Sequence, residues 1–180
     1  MSLDWMMTYT GVIYRPHEPK PEDIRIADIA HALSMICRYG GHTRWFYSVA
    51  EHSVLVSRMV PQEYALEALL HDGAEAYVGD MTIPMKSHPL MAEFKRIEQL
   101  NDLAMRIRFG LPHVESPIVK QADTDIRETE WATLMMPIPP EMGWTWTGTR
   151  NPLVRLELWS PTLAEHKFLE RYRELTQGVH

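Results

Sequence analysis

Apolar residues recur at three- and four-residue spacing along almost the whole chain, and proline or glycine cuts the pattern into short pieces. That periodicity is helical, and the interruptions forbid one long rod, so the chain must bury its apolar stripes helix against helix. Ile26, Ile29, Ala30, Leu33, Ile36 and Cys37 define a first helix, ended by Gly40-Gly41. A second runs from about Ser48 to Met59, with Val49, Val56 and Met59 on one side. Pro61 suits the first turn of a third, which carries Ala65, Leu66, Leu69 and Leu70 and is closed by Gly79. Asp80 to Lys86 reads as a loop. A fourth helix covers about 89–108 and stops at Gly110 and Pro112; a fifth covers about 115–135. Ser160-Pro161, an N-cap followed by proline at the first helical position, starts a last helix that reaches Gly178. Residues 1–24 are irregular, with Pro16, Pro19 and Pro21, and 136–159 form a long surface loop with room for a short hairpin. No repeat and no clear strand pair is visible. The expectation is an all-α fold: one domain over residues 1–180, its core at about 26–135 and its C-terminal helix at about 160–177.

Composition narrows the function. The net charge of −6 shows no basic face for long DNA or RNA. No apolar run is long enough to span a membrane, and no secretory signal is visible. Cys37 is the single cysteine, so no internal disulfide can form, which suits a reducing cytoplasm. Cys37 reads as a small buried hydrophobe, and the twelve methionines as core filler. Trp144 and Trp146 either pack the long loop onto the body, the favoured reading, or cover a pocket as a lid.

Three acid-and-histidine clusters fall on three of these helices: Ala50-Glu51-His52-Ser53, His71-Asp72-Gly73-Ala74-Glu75 and Ala122-Asp123-Thr124-Asp125. The second follows the apolar run Ala65 to Leu70 and so begins where its helix should still be buried. Burying a histidine beside an aspartate is costly unless the two are paired or bind a metal. Imidazole and carboxylate donors suit Mn²⁺, Fe²⁺, Co²⁺, Ni²⁺ or Zn²⁺. Glu75, four residues after His71 and three after Asp72, shares their helical face and can hold or deprotonate a water at such an ion. Asp80 follows within reach of the same pocket. Each has a plainer alternative: a helix-end acid for Glu75 and a turn-capping aspartate for Asp80. His31 and His42 are open between core or solvated histidines and site residues. Asp125 is expected to be exposed.

The order His52, His71-Asp72, Asp123, with 19 residues between the histidines and 51 between the aspartates, resembles the HD-domain phosphohydrolase superfamily. The segments around His52 and His71, together with Gly79-Asp80-Met81-Thr82-Ile83-Pro84-Met85-Lys86, are similar to those of bacterial 5′-deoxynucleotidases. The stretch Asp28 to Ser53 resembles small phage and prophage HD proteins, some of which hydrolyse deoxynucleoside triphosphates. The likeness covers roughly residues 26–135.

The resemblance implies a ligand set of His52, His71, Asp72 and Asp123 around one divalent ion, with Mg²⁺ added to the metals above. It makes Glu75 the carboxylate that positions the attacking water and has Asp80 contact the sugar or assist the water. It places Arg38 near phosphate and sugar, whereas a helix-end cation is the plainer reading. Tyr39 stands where the nucleotidases carry tryptophan, which opens the question of deoxyribose preference. Lys86 is a phosphate contact on this reading, and His42 is a pocket residue. The implied activity is a nucleotidase acting on deoxynucleoside monophosphates. The alternatives are a deoxynucleoside triphosphate triphosphohydrolase and, from another class, a non-catalytic nucleotide- or partner-binding module on the same scaffold. The implied partner is a small nucleotide, and the family likeness adds a homodimer.

Overall fold

Nine consecutive residues of one helix, 49–57, are buried, and the rest of the molecule is wrapped around them. The structure, a computed structural model, describes residues 4–143 and 154–177. Its elements are mostly helical, as the periodicity requires: α1 (Ile26–Met35), α2 (Val49–Met59), α3 (Ala65–Leu70), α4 (Glu75–Val78), α5 (Ile83–Lys86), α6 (Ala92–Phe109), α7 (Pro117–Leu134) and α8 (Pro161–Gln177). The fold is all-α. The single sheet among the described residues is a two-stranded antiparallel pair, β1 (Met6–Met7) with β2 (Ile13–Tyr14), in a segment the sequence suggested was irregular. No described helix is long and apolar enough to cross a membrane.

The central helix α2 contacts α1, α3, α7 and α8. Its Val49, Ala50 and Val54 enter one apolar cluster with Ile29, Leu33, Leu69, Leu70, Met105 and Phe168. Its Leu55 and Val56 enter a second with Tyr47, Val119, Ala122, Ile126 and Leu134. The one-sided apolar stripe expected of α2 is therefore a helix enclosed on every face from Val49 to Ser57. Its polar residues must be satisfied inside the protein, since burial without partners costs about 1–3 kcal/mol per group. Ser48 caps the helix by accepting the Glu51 N–H (3.0 Å). The Glu51 carboxylate accepts three backbone N–H groups, from Glu157 (2.7 Å), Leu158 (2.9 Å) and Trp159 (2.7 Å), and so pins the approach to α8. A second buried anchor is Glu67 on α3. It accepts the Arg106 guanidinium (3.1 Å) and the N–H and hydroxyl of Ser116 (2.8 and 2.6 Å), tying α3 to α6 and to the start of α7.

Three local expectations need correction. The first helix ends at Met35, before Cys37 and well short of Gly40-Gly41, because the following residues find partners across a turn. Ile36 carbonyl accepts from Val49 N–H (3.1 Å), Cys37 bridges Ser48, and Arg38 N–H donates to Tyr47 carbonyl (2.9 Å). Cys37 is thus a half-buried turn residue. The third helix does not run unbroken to Gly79. It tightens at His71–Ala74, where Gly73 N–H reaches back only to Leu70 carbonyl (2.8 Å) and Glu75 N–H to Asp72 carbonyl (3.0 Å). A Cβ on Gly73 would lie 2.9 Å from the Leu70 carbonyl oxygen, so glycine is needed for that tightening. The loop after Gly79 holds the short helix α5, whose Pro84 sits in the first turn, where its missing N–H is no loss. The bounds of α6 to α8 agree with the sequence reading to within three residues. Trp144 and Trp146 lie outside the described residues.

Replacing Glu51 with alanine strips three amides of their acceptor. The unfolding free energy in urea should fall by about 3 kcal/mol, with new protease sensitivity near 154–160. Lys120→Ala on the surface of α7 should change it by less than about 0.5 kcal/mol.

Candidate metal centre

His52 projects from the middle of α2, His71 and Asp72 from the tightened end of α3, and Asp123 from the second turn of α7. Neighbours on a regular helix diverge. The tight turn made possible by Gly73 is what lets both His71 and Asp72 face one point, with His71 Nε2 only 3.3 Å from Asp72 Oδ2. His52 Nε2 lies 3.2 Å from His71 Nε2, 3.6 Å from Asp72 Oδ2 and 3.3 Å from Asp123 Oδ1. Asp123 Oδ1 is 4.0 Å from His71 Nε2. One donor atom from each of His52, His71 and Asp72 lies within 4.8 Å of the others.

The other faces of the imidazoles settle their tautomers. His71 Nδ1 points at the Ala68 carbonyl (2.8 Å), which can only accept, so Nδ1 carries the proton. His52 Nδ1 points at the Glu130 carboxylate (2.6 Å), and the same reasoning applies. In their neutral forms both rings therefore present bare Nε2 lone pairs to each other and to two carboxylate oxygens. Four acceptors crowd together, an arrangement that positive charge stabilises. Arg38 Nη1 supplies some of it at Asp72 Oδ2 (3.4 Å), and without a metal a proton on His52 supplies more. Burial and the Arg38 guanidinium oppose charge on His52, but the Glu130 carboxylate and the Asp123 hydrogen bond prevail and push it up to about 9. Although burial disfavours its charge, Asp123 is held well below the usual carboxylate range by His52, His71 and Arg38. The spacing also fits a metal. Two ligands about 2.1 Å from one ion stand about 3.0–3.4 Å apart at octahedral to tetrahedral angles. The donor set fits a borderline divalent ion.

Around this cluster the chain places further charge. Arg38 Nη1 is 3.4 Å from Asp72 and Nη2 is 3.3 Å from Glu130, while its buried Nε has no hydrogen-bond partner among the described residues. Glu75 is buried on α4. Its Oε1 pairs with Lys86 (3.2 Å), and its Oε2 has no partner among the described residues. Burial, with Asp72 and Asp80 nearby, pushes Glu75 well above the usual range against the pull of Lys86 and Arg38. Asp80 is half-buried. Burial raises it too, opposed first by Arg38.

His52, His71 and Asp72 thus form one group, Asp123 approaches it through the two histidines, and Arg38, Glu75 and Asp80 lie close enough to feel its charge. Tyr39 stands one step behind, its phenol donating to Glu130 (2.8 Å) and its backbone in the left-handed region (φ 57°). Lys86 is not a free cation, because it bridges Glu75 and Glu98 (2.6 Å). His42 is exposed and stands outside the cluster. His31 lies elsewhere, stacked on Tyr9 and bonded to Glu165 (3.0 Å). Asp125, expected to be exposed, is half-buried and accepts from Gln121 (2.9 Å). The sequence reading missed Glu130. It lies seven residues beyond Asp123, on the same buried face of α7 as Val119 and Ile126, and that offset was the signal available.

No family model matches the chain. It is similar to the uncharacterized protein YfdR of Escherichia coli (strain K12), 44% identical over 128 residues that make up 71% of each chain. The chain belongs to the same family as YfdR. It is also similar to the uncharacterized protein RCAP_rcc00048 of Rhodobacter capsulatus, 39% identical over 140 residues covering 69% of each chain.

Mn²⁺ added to chelator-stripped protein should stabilise it by about 2.7 kcal/mol at a hundredfold excess over Kd. In a chain of this size that is a rise in Tm of about 5–10 °C. His71→Ala should abolish the rise; a wild-type protein whose Tm ignores Mn²⁺ would contradict the metal assignment.

Proposed function

We propose that this chain is a metal-dependent phosphohydrolase of the HD-domain type, acting on the phosphate esters of small nucleotides, with deoxynucleoside 5′-monophosphates as the first substrates. The observation that carries the reading is the convergence of His52, His71, Asp72 and Asp123 beside a buried carboxylate, Glu75, and a buried guanidinium, Arg38. A divalent cation held by those four side chains would supply Lewis acidity and a hydroxide-like nucleophile near neutral pH.

The remaining work falls to the protein's own groups. The free Oε2 of Glu75 orients the attacking water and takes its proton as the new oxygen–phosphorus bond forms. The bond from phosphorus to the sugar oxygen breaks, and that oxygen leaves with the proton. The products are a nucleoside and inorganic phosphate. Arg38 offsets charge on the non-bridging oxygens. Asp80, close enough to Arg38 and Asp72 to feel both charges, borders the same space and is suited to the sugar hydroxyl.

Charge favours a monophosphate over a triphosphate. Lys86 is already shared by two carboxylates, and Arg127 is paired with Asp123 (3.1 Å). Arg38 is likewise shared by Asp72 and Glu130, although its buried Nε has no partner among the described residues. Site cations so far committed to carboxylates suit one phosphate better than three.

The test is a screen of nucleoside mono- and triphosphates with Mn²⁺, Co²⁺ and Mg²⁺, followed by product identification. Inorganic phosphate released from monophosphates is expected. Release of intact triphosphate would replace this reading with the triphosphohydrolase one, and no hydrolysis by metal-loaded protein would overturn both. Glu75→Ala should cost a factor of about 10²–10⁴ in kcat while sparing metal content.

A further inference from the structure

Three buried glutamates are saturated with hydrogen bonds in this molecule, and one differs from the other two. Glu51 accepts three backbone amides, and Glu67 accepts a backbone amide, a hydroxyl and Arg106, which also donates to the Pro112 carbonyl (2.9 Å). Those carboxylates fasten chain to chain. Glu130, fully buried on α7, accepts no backbone group among the described residues. Its four partners are side chains, and they divide between its two oxygens. Oε1 accepts His52 Nδ1 (2.6 Å) and the Tyr47 phenol (2.8 Å). Oε2 accepts the Tyr39 phenol (2.8 Å) and pairs with Arg38 Nη2 (3.3 Å).

One rigid, planar group thus holds the back of an imidazole whose front faces the metal cluster, and the side of a guanidinium that touches Asp72. Each tyrosine fixes one oxygen. Burying a carboxylate with a guanidinium carries a desolvation cost that apolar side chains of similar size would avoid. A site so placed is better explained by what it orients than by stability. Partners behind a metal-binding histidine set its tautomer and ring direction, and their loss weakens metal binding about 10–100-fold.

We propose that Glu130 is a positioning residue that joins the two halves of the site: Oε1 fixes His52 for the metal, and Oε2 fixes Arg38 for the phosphate. This rests on the phosphohydrolase reading of the cluster. It assigns Tyr47 to the metal half and Tyr39 to the phosphate half, and it links occupancy by metal to affinity for phosphate through one carboxylate.

The test uses full-length protein, Zn²⁺ and inorganic phosphate as probes, and titration calorimetry. Glu130→Gln should weaken Zn²⁺ binding about 10–100-fold and weaken phosphate binding to the Zn²⁺-loaded protein. Glu67→Gln should lower Tm and leave both affinities within twofold. Tyr39→Phe should weaken phosphate severalfold and leave Zn²⁺ affinity unchanged. A Glu130→Gln protein that binds Zn²⁺ as wild type does would overturn the proposal while the metal cluster stands. A wild-type protein that binds no Zn²⁺ removes the cluster itself. Should Glu130→Gln fail to fold, ¹⁵N spectra of the wild type decide: Zn²⁺ on His52 Nε2 with a hydrogen-bonded proton on Nδ1 supports the assignment, and the opposite tautomer refutes it.

Discussion

Acceptor atoms from three helices crowd together: one from each of His52, His71 and Asp72 lies within 4.8 Å of the others, an Asp123 oxygen stands 3.3 Å from His52, and the Arg38 guanidinium reaches the cluster at Asp72 (3.4 Å). The two histidines cannot relieve this by turning, since their outer nitrogens are committed to Ala68 carbonyl and to Glu130. The cluster is therefore a fixed concentration of negative potential inside an otherwise packed protein. The cation it holds decides its character: protonated His52 makes it a local ion pair, and a divalent metal would make it the reaction centre proposed above.

That potential depends on the enclosure of α2. A helix buried on one face could offer His52 only from the rim. Because α1, α3, α7 and α8 all pack against α2, His52 is fully buried and its ring is reached only by chosen partners. The cost of enclosing a helix with so many polar residues is offset at most of them, the Ser53 hydroxyl being without a partner among the described residues. Glu51 takes the amides of 157–159. Ser57 donates to Val54 carbonyl and accepts from Arg171. His52 takes Glu130. The same contacts that close the core therefore also orient the site.

Much of this was legible in the sequence because it is periodic. The spacing of apolar residues and the Ser-Pro, Gly and Pro punctuation placed α6, α7 and α8 closely. The grouping of His52, His71-Asp72 and Asp123 was legible too, through the costly burial expected of His71-Asp72 and through an order of residues that resembles the HD-domain superfamily. What escaped was whatever depends on a distant partner. Cys37 follows helical spacing, yet it leaves the helix because Tyr47 to Val49 offer its neighbours better backbone bonds. The break at His71–Ala74 is invisible to periodicity, since Gly73 in a helical pattern looks tolerable until Leu70 carbonyl and Met105 are found against it. Lys86 read as a phosphate contact because Glu98, its stronger partner, lies in a different element. Glu130 was hidden among the many acids of α7, and only tertiary packing separates it from the solvated ones.

Anomalous diffraction from a crystal soaked in Mn²⁺ puts the central claim to its most direct test. The account predicts one strong peak about 2.1–2.3 Å from the Nε2 atoms of His52 and His71, with Asp72 and Asp123 oxygens completing the shell. A map with no peak there, or with manganese held only by surface carboxylates, would contradict it.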